Sequence, residues 1–270
     1  MTDEVRFRPD LYAGTAGYYD RYRPRYPVGL MRRLVDEAGV TGGGRLLDLA
    51  CGTGQVALAL SSFFEEVWAV DQEADMVRVG RSTAARMGAS NIRWLNRPVE
   101  ALTAPMESFE LVTVGNAFHR LPRQLMAAKA YGWLSPGSCF ALLWGGSPWQ
   151  ENSPWQQVVA AARDTWVAES GASDRVPSGW EEARVTKPDV EVLQEAGFEI
   201  VGRFSEPATL EWSFESVVGY VYSTSILPRA VLGDRTAEFE GDLHQRLVEV
   251  AGDGPYIQET EFLCELGRRT

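Results

Sequence analysis

A chain of 270 residues, 45% apolar and 23% charged, is an ordinary soluble composition and is long enough to bury a core without staples. Its net charge of −11 is spread along the chain, which excludes the basic face that nucleic acid or an anionic membrane needs, so neither is an expected partner. The three scattered cysteines (Cys51, Cys139, Cys264) and two histidines (His119, His244) have no metal-ligand spacing, the charged start MTDEVRFRPD is no signal peptide, and the longest apolar run, CFALLWGG, is far too short for a membrane span, so a reduced, metal-free cytoplasmic protein is expected.

In chain order, residues 12–27 (YAGTAGYYDRYRPRYP) come first, with five tyrosines and three arginines. By residue type alone this is a helix with aromatic anchors that ends in a proline-set turn. Short apolar or β-branched runs bounded by turn residues then predict strands at 45–50 (RLLDLA), 66–71 (EVWAVD), 92–96 (IRWLN), 110–116 (ELVTVGN) and 139–145 (CFALLWG). Helices are expected between them at 55–62, 73–87 and 122–134, the last stopped by Pro136-Gly137. Strands alternating with helices imply parallel βαβ units and a doubly wound, Rossmann-like sheet.

Beyond Ser147 the pattern changes. Residues 147–186 show little strand signal but several aromatics, which predicts a helical elaboration. A helix, a turn at Gly197 and a strand follow over 188–204, then helices at 213–225 and 236–252, and a closing alternating strand at 256–269. The expected architecture is an α/β fold with a mostly parallel seven-stranded sheet and helical cap insertions. Its parts are an N-terminal helical segment (1–30), a Rossmann-like core (31–147), a cap insertion (148–187), a core helix and strand (188–212), a second cap segment (213–254) and a final core strand (255–270).

The chemistry is concentrated at the first strand and its turn, RLLDLACGTGQVA, where Gly52-x-Gly54-x-x-Ala57 nominally matches a dinucleotide fingerprint. Glycines here let backbone pass close to a ligand, and the next helix offers free N–H groups. A pyrophosphate would be repelled by Asp48, whereas a ligand with a positive amino group would welcome it. The second strand ends in Asp71, where a carboxylate can accept two ribose hydroxyls. Together they point to an adenosine ligand that is not a dinucleotide.

These residues resemble the class I S-adenosylmethionine-dependent methyltransferases, in the small-molecule, type 11-like branch with the D-x-A-C-G-T-G signature. Asp48-Leu49-Ala50-Cys51-Gly52-Thr53-Gly54 carries the match, with Ala69-Val70-Asp71, Met76, Arg97-Pro98-Val99-Glu100 and Val114-Gly115-Asn116-Ala117-Phe118-His119 in family order. The resemblance covers roughly residues 12–145. It implies S-adenosylmethionine as cofactor and S-adenosylhomocysteine as product. It further implies that Asp48, Ala50, Cys51 and Gly52 face the methionine moiety and that Asp71 binds ribose. Gln72 and Met76 would border the adenine, with Pro98, Val99 and Glu100 on its other side, and Asn116 and Ala117 would lie beneath the sulfonium. The Y-D-x-x-R-P-x-Y-P pattern at 19–27 implies an N-terminal lid, with Arg23 on the methionine carboxylate and Tyr18 or Tyr19 shielding the methyl group.

His119 follows the fourth strand at the carboxyl end of the sheet, so it is a candidate base as well as a candidate lining residue of the acceptor site. Arg120 departs from the aromatic residue that the family often carries next. Trp144, Trp149 and Tyr222 are candidates for an acceptor wall, although tryptophans such as Trp155 can equally anchor a cap on the sheet. The expected function is methyl transfer to a small, aromatic or apolar acceptor, with oxygen favoured, by a monomer or homodimer. The alternatives are a protein of the same fold that binds the cofactor without transferring methyl, and, less favoured, a nicotinamide oxidoreductase.

Overall fold

Leu46 and Leu47 show how the sheet is made. Successive side chains of a strand point to opposite faces, and this one buries both. Leu46 packs into a cluster with Leu30, Leu34, Val67, Leu111 and Ala141, whereas Leu47 and Leu49 join Val70, Val112, Val114 and Phe140 on the other face. A strand with two apolar faces must be covered by helices on both sides. The chain supplies them by alternation.

The computed structural model describes residues 7, 8, 10–148 and 153–270. Helices α1 (Ala16–Tyr22) and α2 (Val28–Ala38) precede β1 (Arg45–Leu49). There follow α3 (Gln55–Leu60), β2 (Glu66–Asp71), α4 (Ala74–Met87), β3 (Ile92–Asn96), β4 (Phe109–Gly115), α5 (Arg123–Trp133) and β5 (Leu134–Trp144). The second half contains α6 (Pro154–Glu169), α7 (Trp180–Thr186), α8 (Asp189–Glu195), β6 (Phe198–Trp212), α9 (Phe214–Tyr222), α10 (Arg229–Leu232), α11 (Thr236–Ala251) and β7 (Tyr256–Arg269). The seven strands form one sheet in the order β3-β2-β1-β4-β5-β7-β6. β1 to β5 run parallel, and β7 is antiparallel to both β5 and β6. This is the mostly parallel seven-stranded sheet expected from the sequence. Its order reverses between β1 and β4, the place where open α/β sheets leave a crevice at the strands' carboxyl ends.

β6 and β7 outrun their neighbours and pair with each other from Phe198–Arg269 to Trp212–Tyr256. The far end of this ribbon carries a third core. Trp155, Val159, Ala162 and Trp166 of α6 recur at helical spacing and meet Phe239, Leu243 and Leu247 of α11, together with Trp212, Tyr220 and Tyr256. The indole N–H groups are satisfied as they are buried: Trp155 donates to the Ile257 carbonyl (3.1 Å), Trp166 to Asp242 (2.8 Å) and Trp212 to Gln258 (2.9 Å). These tryptophans are anchors of the cap.

The inserted helices are also tied to the core by charge. Asp189, 4% exposed, accepts from Arg123 of α5 (2.8 Å) and Arg184 of α7 (2.7 Å). No helix among the described residues is long and apolar enough to cross a membrane.

Candidate active site

β2 ends in Asp71 because its carboxylate is held there by backbone. Oδ2 accepts from the Gly52 N–H and Oδ1 from the Glu73 N–H, both at 2.8 Å. Burial raises the Asp71 pKa, and the two N–H groups hold it back. Each oxygen keeps a further lone pair for a ligand hydroxyl.

The turn after β1 reaches Asp71 through left-handed backbone at Ala50 (φ 51°), Gly52 (φ 56°) and Gly54 (φ 81°). Glycine adopts this freely, but an alanine there carries strain of about 1–3 kcal/mol. Asn116, at the end of β4, has the same conformation (φ 51°) and is locked by mutual bonds with Gly145, 3.0 Å from its Nδ2 to the carbonyl and 3.1 Å from the Gly145 N–H to its Oδ1. Strain is thus placed on both sides of the β1–β4 reversal.

Between them lies a cleft with about 860 Å³ of empty space, part of it open to solvent. Ala50, Gly52, Asn116 and Ala117 line it from the strand ends, Asp71, Gln72 and Met76 from β2 and α4, and Val99 and Glu100 from the short turn after β3. Tyr19 of α1 covers it, its ring 3.5 Å from where a Cβ on Gly52 would stand. Ten residues singled out from the sequence therefore share one wall-to-wall space.

The others fall elsewhere. Asp48 was expected to face the ligand, but it is 1% exposed inside the sheet, accepting from Thr113 Oγ1 (2.8 Å) and the Ala57 N–H (3.1 Å). The reason is register: Asp48 pairs laterally with Ala69 and Thr113, short of the strand end. Burial pushes its pKa up to about 7. Arg23 was expected on a carboxylate; instead its guanidinium donates to Ser223 Oγ (2.8 Å) and Tyr220 OH (2.9 Å) and lies over the Tyr19 and Tyr220 rings.

Cys51 is absent from the cleft lining, its N–H continuing the sheet to the Val70 carbonyl. Pro98 is exposed and only precedes the turn that presents Val99 and Glu100. Tyr222 is buried within the cap and donates to Glu240 (2.9 Å), away from the cleft. Trp149 lies outside the described residues.

His119 borders a second, neighbouring cavity with Arg123, Trp180 and Arg184. Its ring lies 4.6 Å from that of Trp180 and 5.8 Å from that of Trp144. Burial, then Arg120, Arg184 and Arg123, hold its pKa well below 6.5, so it is neutral at physiological pH.

The lid expected over 1–30 carried no named lining beyond Tyr18 or Tyr19 and Arg23: Phe7, Arg8, Leu11 and Tyr12 line the cleft from the N-terminal segment, and Glu73, Gly115, Arg120 and Leu121 complete it. Tyr12 opened the tyrosine-rich stretch and Arg120 stood out as a departure, so both carried a signal. Phe7, Arg8 and Leu11 carried none.

Comparison with known proteins follows the same geometry. Residues 46–137 match a family described as the methyltransferase domain. Over that third of its length the chain carries a methyltransferase domain, which supports a class I S-adenosylmethionine-dependent methyltransferase. Among curated proteins it is similar to the uncharacterized methyltransferase YcgJ of Bacillus subtilis, 37% identical over 75 residues, which is 28% of this chain and 30% of YcgJ. It is also similar to the uncharacterized methyltransferase Rv0089 of Mycobacterium tuberculosis, 29% identical over 152 residues, 56% of this chain and 72% of that protein.

Among solved structures, an Anaeromyxobacter dehalogenans protein assigned provisionally as a type II methyltransferase superposes with a TM-score of 0.64 at 23% identity, covering 92% of this methyltransferase and 98% of that chain. The [4+2]-cyclase SpnF superposes at 0.56 with 15% identity, over 98% and 97% of the two chains. The cleft fits the cofactor of the family in its chemistry: Asp71 offers acceptor positions, and glycine leaves open the space a side chain would fill at residue 52.

Proposed function

We propose that this methyltransferase transfers a methyl group from S-adenosylmethionine to a small-molecule acceptor, with oxygen as the favoured target atom. The observation that carries this reading is the cleft at the β1–β4 reversal, where Asp71 and the left-handed residues Ala50, Gly52 and Asn116 converge under Tyr19. When bound, the cofactor supplies a methyl carbon on a sulfonium, so that a carbon–oxygen bond forms as the carbon–sulfur bond breaks and the electron pair goes to sulfur.

The chain's part is to hold and orient. Asp71 accepts the two ribose hydroxyls on the lone pairs its backbone donors leave free. Gln72, Met76, Val99 and Glu100 border the adenine, and the backbone at Asn116 and Ala117 lies beneath the reacting centre. Tyr19 over Gly52 keeps water out, and orientation in a dry space supplies most of the acceleration that such a transfer needs. For a hydroxyl acceptor, His119 on the neighbouring cavity is the candidate base, but burial and Arg120, Arg184 and Arg123 oppose its taking the proton, so it serves more readily as a lining residue. A carboxylate acceptor needs no base.

The test is thermal unfolding with S-adenosylhomocysteine, with NADH as control. Ligand at about 100 times its dissociation constant adds about 2.7 kcal/mol of apparent stability. A rise with adenosylhomocysteine alone, lost in Asp71→Ala, is the expected result; a rise with NADH alone would sink the reading. Because a cyclase shares the fold, capture of methyl-labelled product from labelled cofactor must follow. Binding without any labelled product across acceptor classes would favour the non-transferring alternative.

A further inference from the structure

Two arginines on neighbouring turns meet opposite fates. Arg123 is saturated: it donates to Asp189 and to the carbonyls of Lys187 and Ala183. The Arg120 guanidinium makes one bond, from Nη2 to Ser225 Oγ at 3.0 Å, while its buried Nε and Nη1 have no hydrogen-bond partner. The group stands over the rings of Phe7 (5.1 Å) and Tyr12 (5.0 Å), and all three residues line the cleft. Buried donors left idle on a half-buried cation are costly unless a ligand answers them.

The idle polar atoms are grouped. His119 Nδ1 and Trp144 Nε1 are also buried without partners. The His119 ring lies 5.8 Å from Trp144 and 6.2 Å from Phe7, the same ring that Arg120 covers. Arg120 thus brings idle donors to the cleft under the Phe7 and Tyr12 rings, and His119, on the neighbouring cavity, adds an unpartnered ring nitrogen behind Phe7. The cleft also carries carboxylates, Asp71, Glu73 and Glu100, and Glu73 accepts from the Tyr12 backbone, so Arg120 and Arg8 are its cationic lining. In a chain of net charge −11 an anionic ligand needs such a local cation to be held at all.

We propose that the acceptor is an aromatic or apolar molecule bearing a carboxylate, and that Arg120 docks this carboxylate. The proposal rests on the methyl-transfer reading above. The Arg120 N–H donates to the Ala117 carbonyl at 2.9 Å, so the docking point is one tight turn from the residues read as lying beneath the sulfonium. The carboxylate is the anchor; a second group of the same molecule is the nucleophile. A carboxylate fits because its oxygens offer several acceptor positions to idle N–H groups, and a charge-assisted bond is stronger than a neutral one.

The experiment is calorimetric titration of the adenosylhomocysteine-saturated protein with hydroxyaromatic acids and their primary amides, using salicylate, 4-hydroxybenzoate and 4-coumarate as probes. Wild type should bind at least one acid more tightly than its amide by about tenfold or more. Arg120→Met should erase that preference and keep adenosylhomocysteine affinity within about twofold, while Arg120→Lys should restore part of it. Equal binding of acids and amides, or no acid bound in the whole panel, overturns the proposal. So does a loss of cofactor-product affinity in Arg120→Met, which would place the guanidinium on the methionine carboxylate instead. Failure of wild type to bind adenosylhomocysteine would remove the methyl-transfer reading itself, which the first titration of the series reports separately.

Discussion

The two ends of the sheet are built by different rules. At the β3-β2-β1-β4 end the strands are short and parallel, and the cleft is shaped by backbone: left-handed residues at 50, 52 and 116, and N–H groups spent on Asp71. At the β5-β7-β6 end a long antiparallel ribbon carries a helical cap, and what holds it is side-chain volume, above all tryptophan. The difference teaches that the shape of the cleft and the stability of the cap rest on different interactions. One depends on a few strained turns, the other on area removed from water.

Trp166→Ala gives the largest expected break in this separation. Removing a 5%-exposed indole that packs on Phe239 should cost about 3–5 kcal/mol in urea unfolding. Adenosylhomocysteine affinity of the folded fraction should stay within about twofold; a parallel loss would show that the two ends are one unit.

Asp48→Asn comes next and reads the core end through pH. The Asp48 carboxyl sits near 7 in the fold against about 3.9 in an unfolded chain, so the folded state holds the proton more tightly. The stability this contributes is fully present below about pH 4 and is lost as pH rises through 7. The asparagine variant, which can accept from the Ala57 N–H and donate to Thr113, escapes that loss. It should gain on wild type by a few kcal/mol between pH 4 and 8 in parallel urea titrations; curves with a constant offset would refute the buried acid.

A smaller effect is expected from Gly80→Ala, whose Cβ would stand 2.8 Å from the Thr53 carbonyl and 2.4 Å from the Trp94 ring. Overpacking there should cost about 2 kcal/mol and, unlike the cap variant, weaken adenosylhomocysteine binding. The smallest is Glu215→Gln, which loosens the exposed lid–cap pair with Arg21; its change in midpoint should correspond to less than about 1 kcal/mol.

The same contrast explains what the sequence disclosed. Asp71, Gln72 and Met76, or Asn116 and Ala117, sit within a few residues of a strand end, so short local patterns were enough to place them in the cleft. Asp48 was misplaced because a motif does not say how far along the strand its acid lies, and two residues decide between ligand and core. Phe7 and Leu11 reach the cleft only through tertiary folding of the N-terminal segment, which no periodicity announces. In the cap, Trp155 and Trp166 were visible as large aromatics, yet only the packing of α6 on α11 distinguishes an anchor from a pocket wall.

Helix α1 joins the two ends. Its Tyr19 rests over Gly52, while Arg23, just past its end, is bonded to Ser223 and Tyr220, and a Cβ on Gly219 of α9 would stand 2.2 Å from the Tyr22 ring. The helix cannot lift from the glycine turn without taking α9 with it or breaking those bonds. Any opening of the cleft on the Tyr19 side is therefore felt in the cap as well.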